Sequence, residues 1–222
     1  MKNNSVIRTV IAAALCCGVM ALVDGILKPG YAVKSAIKVC LFLLIPFLLT
    51  RFDKDLLFKE IFRFRKKGFA TALLLGLPLY GLILGGYFLL RNFIDFSGIA
   101  GNLTQNAGVT KDNFLFVSLY ISFANSLLEE FFFRGFLFSN LKRHSTRRFA
   151  YLFSALAFAL YHVAMMVGWF DWWLNLLVIA GLALGGMIFN RLNEKQDCIY
   201  VSWLVHMFAN FAINTIGFIL LK

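Results

Sequence analysis

The most constraining feature of this chain is a series of long, nearly uninterrupted apolar runs, such as 68–90 and 198–221, separated by short basic blocks. A helix needs roughly 20 residues to cross the hydrocarbon core of a bilayer, and several runs approach or exceed that length. Their apolar residues are continuous rather than alternating, which excludes a transmembrane β-barrel. Composition agrees, since 60% of the 222 residues are hydrophobic and 15% charged, whereas a soluble domain is about half apolar and a quarter charged. The fold class is all-α, a polytopic transmembrane helical bundle of about seven to eight helices.

Seven spans are expected, near Thr9–Val23, Ala36–Thr50, Gly68–Leu90, Phe114–Leu141, Phe149–Gly168, Leu174–Asn190 and Cys198–Leu221. Lys2 and Arg8 ahead of the first run resemble a signal peptide, but Val23-Asp24-Gly25 is a poor cleavage site, so the run is read as a membrane anchor. The chain is treated as one domain over 1–222. Residues 1–111 form N-terminal helices, and 112–215 form the half that carries chemistry. Segment 51–67 mixes basic residues with Phe52, Leu56, Phe58, Phe62 and Phe64 and is expected to be a helix lying in the cytoplasmic interface. Gly181 and Gly185 in the sixth run form a GxxxG pair, expected to admit a neighbouring helix.

The formal net charge of +11 lies in the blocks between apolar runs. There Lys and Arg set topology and meet anionic headgroups, so nucleic acid is not a partner. Fifteen basic residues fall on one side. They are Lys2, Arg8, Arg51, Lys54, Lys59, Arg63, Arg65, Lys66, Lys67, Lys142, Arg143, Arg147, Arg148, Arg191 and Lys195. Six fall on the other: Lys28, Lys34, Lys38, Arg91, Lys111 and Lys222. This asymmetry places the N-terminus in the cytoplasm. Cys16, Cys17, Cys40 and Cys198 lie in or beside spans without a CxxC pair and read as small hydrophobes.

Ionisable groups at membrane depth are costly and usually paired or functional. Here they cluster as Glu129-Glu130-x-x-x-Arg134 in the fourth span, Phe158-x-x-x-His162 in the fifth and His206-x-x-x-Asn210 in the seventh. Glu130 and Arg134 are four apart, on one helix face, in the favourable order for an ion pair. Glu129 points about 100° away with no local partner and is the group left for chemistry. Phe158 can wall the pocket of His162, and His206 can reach the same ligand as Asn210. At about 1.5 Å per residue from the cytoplasmic ends, Glu129 lies roughly 18 Å deep, His162 roughly 20 Å, and His206 and Asn210 roughly 12 and 18 Å. These four are expected to converge on one water-accessible pocket.

At these motifs, over roughly 112–215, the chain resembles the CPBP family of CAAX-protease and bacteriocin-processing membrane proteins, which includes the Ras-converting CAAX endopeptidases. The resemblance implies hydrolysis of a peptide bond in a membrane-associated or lipidated substrate. Glu129 and His162 would activate a water, His206 and Asn210 would hold the oxyanion, and Glu130, Arg134 and Phe158 would support the site. No cofactor is favoured. Zinc, which would use Glu129, His162 and His206, stays open, but there is no HExxH helix and a metal-independent glutamate mechanism is favoured. The alternatives are bacteriocin self-immunity or a membrane scaffold without proteolysis, a proton-coupled transporter, and haem held by the two histidines.

Overall fold

A computed structural model describes residues 2–64, 68–99, 101, 104 and 109–221. Seven helices long and apolar enough to span a membrane occur among them. They are α1 (Asn4–Leu27), α2 (Tyr31–Phe52), α3 (Phe69–Leu90), α4 (Phe114–His144), α5 (Arg147–Met166), α6 (Trp172–Gln196) and α7 (Ile199–Leu220). The bundle is all-α, as its apolar periodicity requires. The first two spans are longer than their apolar runs alone predict. Val23–Leu27 extends α1 as a π-helical turn, and α2 begins at Tyr31, so that Lys34 and Lys38 belong to a membrane helix and not to a loop.

The centre of the fold is α4. A helix that is apolar all round belongs in a core, and every residue from Glu130 to Phe138 is buried. Phe132 stacks on Phe42 of α2 with ring centroids 4.0 Å apart, and Phe133 meets Phe158 of α5 edge-on at 5.4 Å. The helix is not uniformly α. Ile121–Asn125 and Glu130–Phe138 are π-helical and flank a short α segment, Ser126–Glu129. π-Helical turns are rare and frequent at functional sites, because they release backbone groups from the regular ladder.

Three local expectations are overturned. Segment 51–67 is not an interfacial helix: beyond Phe52 its described part holds a single 3-10 turn, Lys59–Phe62. Leu56 and Ile61 are buried there. The Leu57 N–H donates to Asn140 Oδ1 at 2.7 Å, and Ile61 fills the space left by Gly135, where an added Cβ would lie 2.3 Å from its Cγ2. The segment thus covers the end of α4, whose all-round apolar surface requires a lid. Arg65, Lys66 and Lys67 lie outside the described residues.

The fifth span also departs from a continuous helix. Its α-helical part ends at Tyr161, with His162 in the cap position and a 3-10 turn following at Ala164–Met166. Finally, the close approach on α6 is one residue later than the GxxxG pair suggests. Gly181 and Gly185 have open space at their Cβ positions, whereas at Gly186 a Cβ would lie 3.1 Å from Ala155 Cα and 3.3 Å from the Arg134 guanidinium. The four cysteines are free thiols.

Candidate active site

The site is assembled on the middle of α4. Glu130 opens the long π-helical stretch and Arg134 lies four residues on; their side chains form a fully buried ion pair at 3.3 Å. The guanidinium is held over the Phe158 ring at 4.0 Å and the Phe189 ring at 5.0 Å. Phe189 projects from α6, and Gly186, one turn earlier, makes room for the arginine. Glu130 has a second partner, because His206 Nδ1–H donates to its Oε1 at 3.0 Å. The expected pair therefore exists and also orients a histidine from α7.

The neighbouring glutamate is not unpaired. Lys38 of α2 forms a buried ion pair with Oε1 of Glu129 and also donates to Asn125 Oδ1, while Asn125 Nδ2 donates to the same Glu129 oxygen at 3.1 Å. The expectation that Glu129 lacks a partner holds for its own helix's charges and fails in three dimensions. Lys38 is 91 positions away in the chain and was placed by charge counting in a loop. The sign that could have revealed it is the i,i+4 pair Lys34 and Lys38. Lys34 is paired with Asp24 of α1, so this face of α2 turns inward.

The other oxygen of Glu129 faces the histidines. Its Oε2 lies 3.7 Å from His206 Nε2 and 4.0 Å from His162 Nε2. Each imidazole is oriented from behind. His206 is fixed by Glu130, and His162 Nδ1–H donates to the Phe158 carbonyl at 2.7 Å, which is accessible to it because the helix ends there. Phe158 stands beside both rings, with centroids 4.7 Å from His162 and 5.9 Å from His206. Both Nε2 atoms aim at one carboxylate oxygen.

Asn210 does not join this group by hydrogen bonding. Its Nδ2 donates to the Ile121 carbonyl at 3.2 Å, one link in a polar seam between α7 and the first π-helical turn of α4. The same seam contains Trp203, which donates to the Phe123 carbonyl and Ser126 Oγ, and Asn214, which donates to the Ser118 carbonyl and Ser122 Oγ. Glu129 is 3% and His206 7% exposed, and the cavities beside Arg91 and Leu220 and beside Gly135 and Cys198 are lined by other residues. Lys38, Phe42 and Tyr161 close the carboxylate over, the lysine ammonium lying 5.5 Å from the Phe42 and 5.0 Å from the Tyr161 ring centroid.

All the motif residues of this site lie in one stretch of sequence, 129–210, and that stretch matches a family model described as Type II CAAX prenyl endopeptidase Rce1-like, over residues 111–212. Residues 111–212 are similar to that family. The match and the seven spans make the chain a multi-pass membrane protein, and its matched segment is similar to CAAX-type endopeptidases. No curated protein and no solved structure matches it. Lys38 lies outside the Rce1-like segment.

Proposed function

We propose that the chain is an intramembrane endopeptidase that hydrolyses a peptide bond of a membrane-associated or lipidated substrate, with Glu129 as general base. The observation that carries this reading is the convergence of Glu129 Oε2 with the Nε2 atoms of His206 and His162, at 3.7 and 4.0 Å. At such separations one water can hydrogen-bond the carboxylate and an imidazole together. Glu129 accepts a proton from that water and His162 Nε2 accepts its second hydrogen bond, so that the water's lone pair is directed at the scissile carbonyl. The new C–O bond forms as the carbonyl electrons move onto oxygen. Collapse of the tetrahedral intermediate then expels the amine, which takes the proton held by Glu129.

His206 is assigned as the first oxyanion donor in its doubly protonated form, with Nδ1–H held by Glu130, which fixes the ring, and Nε2–H directed at the developing charge. Asn210 is the second, on exchanging its bond to the Ile121 carbonyl for one to the developing charge. Glu130, Arg134 and Phe158 hold the histidines in place.

A zinc ion on Glu129, His162 and His206 does not fit the charge balance. Lys38 neutralises Glu129 and Arg134 neutralises Glu130, so a dication would add two uncompensated charges to a buried layer, at a cost of several kcal/mol per ion. The reaction is therefore assigned to the chain's own acid and bases.

The N-terminus is assigned to the cytoplasm. With Lys34 and Lys38 inside α2, the non-cytoplasmic side keeps Lys28, Arg91, Lys111 and Lys222, which strengthens the asymmetry. The test of function compares membrane peptides from cells carrying the wild type and Glu129→Ala. A processed product made by the wild type alone is expected, and identical peptide profiles would overturn the reading.

A further inference from the structure

We infer that Lys38, from the half of the chain outside the Rce1-like segment, is a positioning residue of the active site: with Asn125 it captures Oε1 of Glu129 and so directs Oε2 at the two imidazoles. The inference rests on the proposed role of Glu129 and adds to it a residue that no motif contains.

Four observations support it. First, Lys38 is 4% exposed, in the middle of a membrane span, where an ammonium is costly without a specific partner. Second, its contacts are divided in a particular way. The ammonium touches Glu129 Oε1 and Asn125 Oδ1, and Asn125 returns a hydrogen bond from Nδ2 to the same Oε1. A carboxylate held at one oxygen by two donors loses its rotational freedom, and its second oxygen is then set by geometry. That oxygen is the one lying within 4.0 Å of both Nε2 atoms.

Third, Lys38 is not needed to join α1 to α2. That link has its own buried ion pair, Lys34 with Asp24, one turn earlier on the same face. Fourth, the lysine is placed by residues that also belong to the site. Its Nζ lies 5.0 Å from the ring centroid of Tyr161, the residue before His162, and 5.5 Å from that of Phe42, which stacks on Phe132 of α4. A small displacement of α2 would therefore move the carboxylate relative to the imidazoles, and misplacement by about 1 Å can cost roughly 100-fold in rate.

The experiment uses the full-length protein, purified in detergent, and a quenched-fluorescent prenylated CAAX-box peptide as probe. Wild type, Lys38→Met, Lys38→Arg, Glu129→Gln and the double variant Lys38→Met/Glu129→Gln are compared for kcat, KM and thermal unfolding. Lys38→Met is expected to lower kcat about 10-fold to 100-fold at unchanged KM, and Lys38→Arg to restore part of it, because a cation still reaches Oε1. In thermal unfolding the double variant is expected to lose less than the sum of the two single losses, as a directly contacting pair should. Full kcat in a folded Lys38→Met, with the wild type active and Glu129→Gln inactive, would overturn the role of Lys38 and leave the protease reading standing. A wild type that cleaves no faster than Glu129→Gln would overturn that reading, and the positioning role with it. If Lys38→Met fails to fold, Lys38→Arg decides. A reduced kcat at unchanged KM in folded Lys38→Arg supports positioning, and wild-type kcat overturns it.

Discussion

The Lys38–Glu129 pair and the Glu130–Arg134 pair begin at successive positions on α4, yet they are built differently. Arg134 is enclosed by two aromatic rings and by the backbone of α6 at Gly186, and Glu130 is divided between it and a histidine. Both side chains are fully buried. Glu129 instead has one oxygen held from α2 and from Asn125, and the other turned toward two imidazoles. The first arrangement immobilises and the second presents an acceptor. The cations differ as well: an arginine cannot shed its proton on losing its partner, whereas a buried lysine can.

The largest expected effect follows from that difference. Glu129→Gln keeps an acceptor for Lys38 and Asn125 but removes the base, so cleavage should fall about 10²-fold to 10⁴-fold with only a modest loss of thermal stability. Single-turnover cleavage and unfolding in detergent measure the two quantities. A Glu129→Gln protein that unfolds while retaining activity per folded molecule would break the comparison.

Glu130→Gln tests the other pair. It leaves an obligate cation buried beside rings, and breaking a buried pair from one side costs about 3–5 kcal/mol. The expected outcome is a larger loss of thermal stability than Glu129→Gln produces. Equal losses would mean that the two pairs do the same work.

A smaller effect sharpens the account of how Arg134 is accommodated. Gly186→Ala pushes a methyl group to within 3.1 Å of Ala155 and 3.3 Å of the guanidinium, and such overpacking costs about 1–3 kcal/mol. Gly181→Ala meets open space and should leave unfolding unchanged. A reversed order would return the helix contact to the GxxxG face.

The smallest effect lies outside the membrane layer, at Asp53. Burial raises its pKa, but hydrogen bonds from Ser5, the Asp55 N–H and Arg8 outweigh burial and hold the carboxyl below its usual range. Because the folded pKa is depressed, this contribution to stability is complete above the ordinary carboxylate pKa of about 4 and is lost as pH falls through the folded value. Asp53→Asn should therefore be slightly less stable than the wild type at neutral pH, with the difference shrinking on acidification. A difference that does not change with pH would remove this account.

The amino-acid sequence by itself determined the solvent of the fold, the existence of seven spans, and the identity of the polar side chains on α4, α5 and α7. These follow from local rules: an apolar run long enough to cross lipid must become a helix, and residues four apart share a face. The Glu130–Arg134 pair and the Phe158–His162 neighbourhood were legible for that reason. The tertiary structure alone decided everything that depends on which helix faces which. It brought Lys38 onto Glu129, tied Asn210 to the α4 backbone, moved the close helix contact from Gly181 and Gly185 to Gly186, and turned segment 53–64 into a cover for α4. It also ended the α-helix of α5 at Tyr161, so that a freed carbonyl could orient His162. Each of these depends on a partner tens of residues away or on a break in helical regularity. A lysine in an apolar run looks the same whether it ends a loop or enters a core; the difference is made by a carboxylate 91 positions away in the chain.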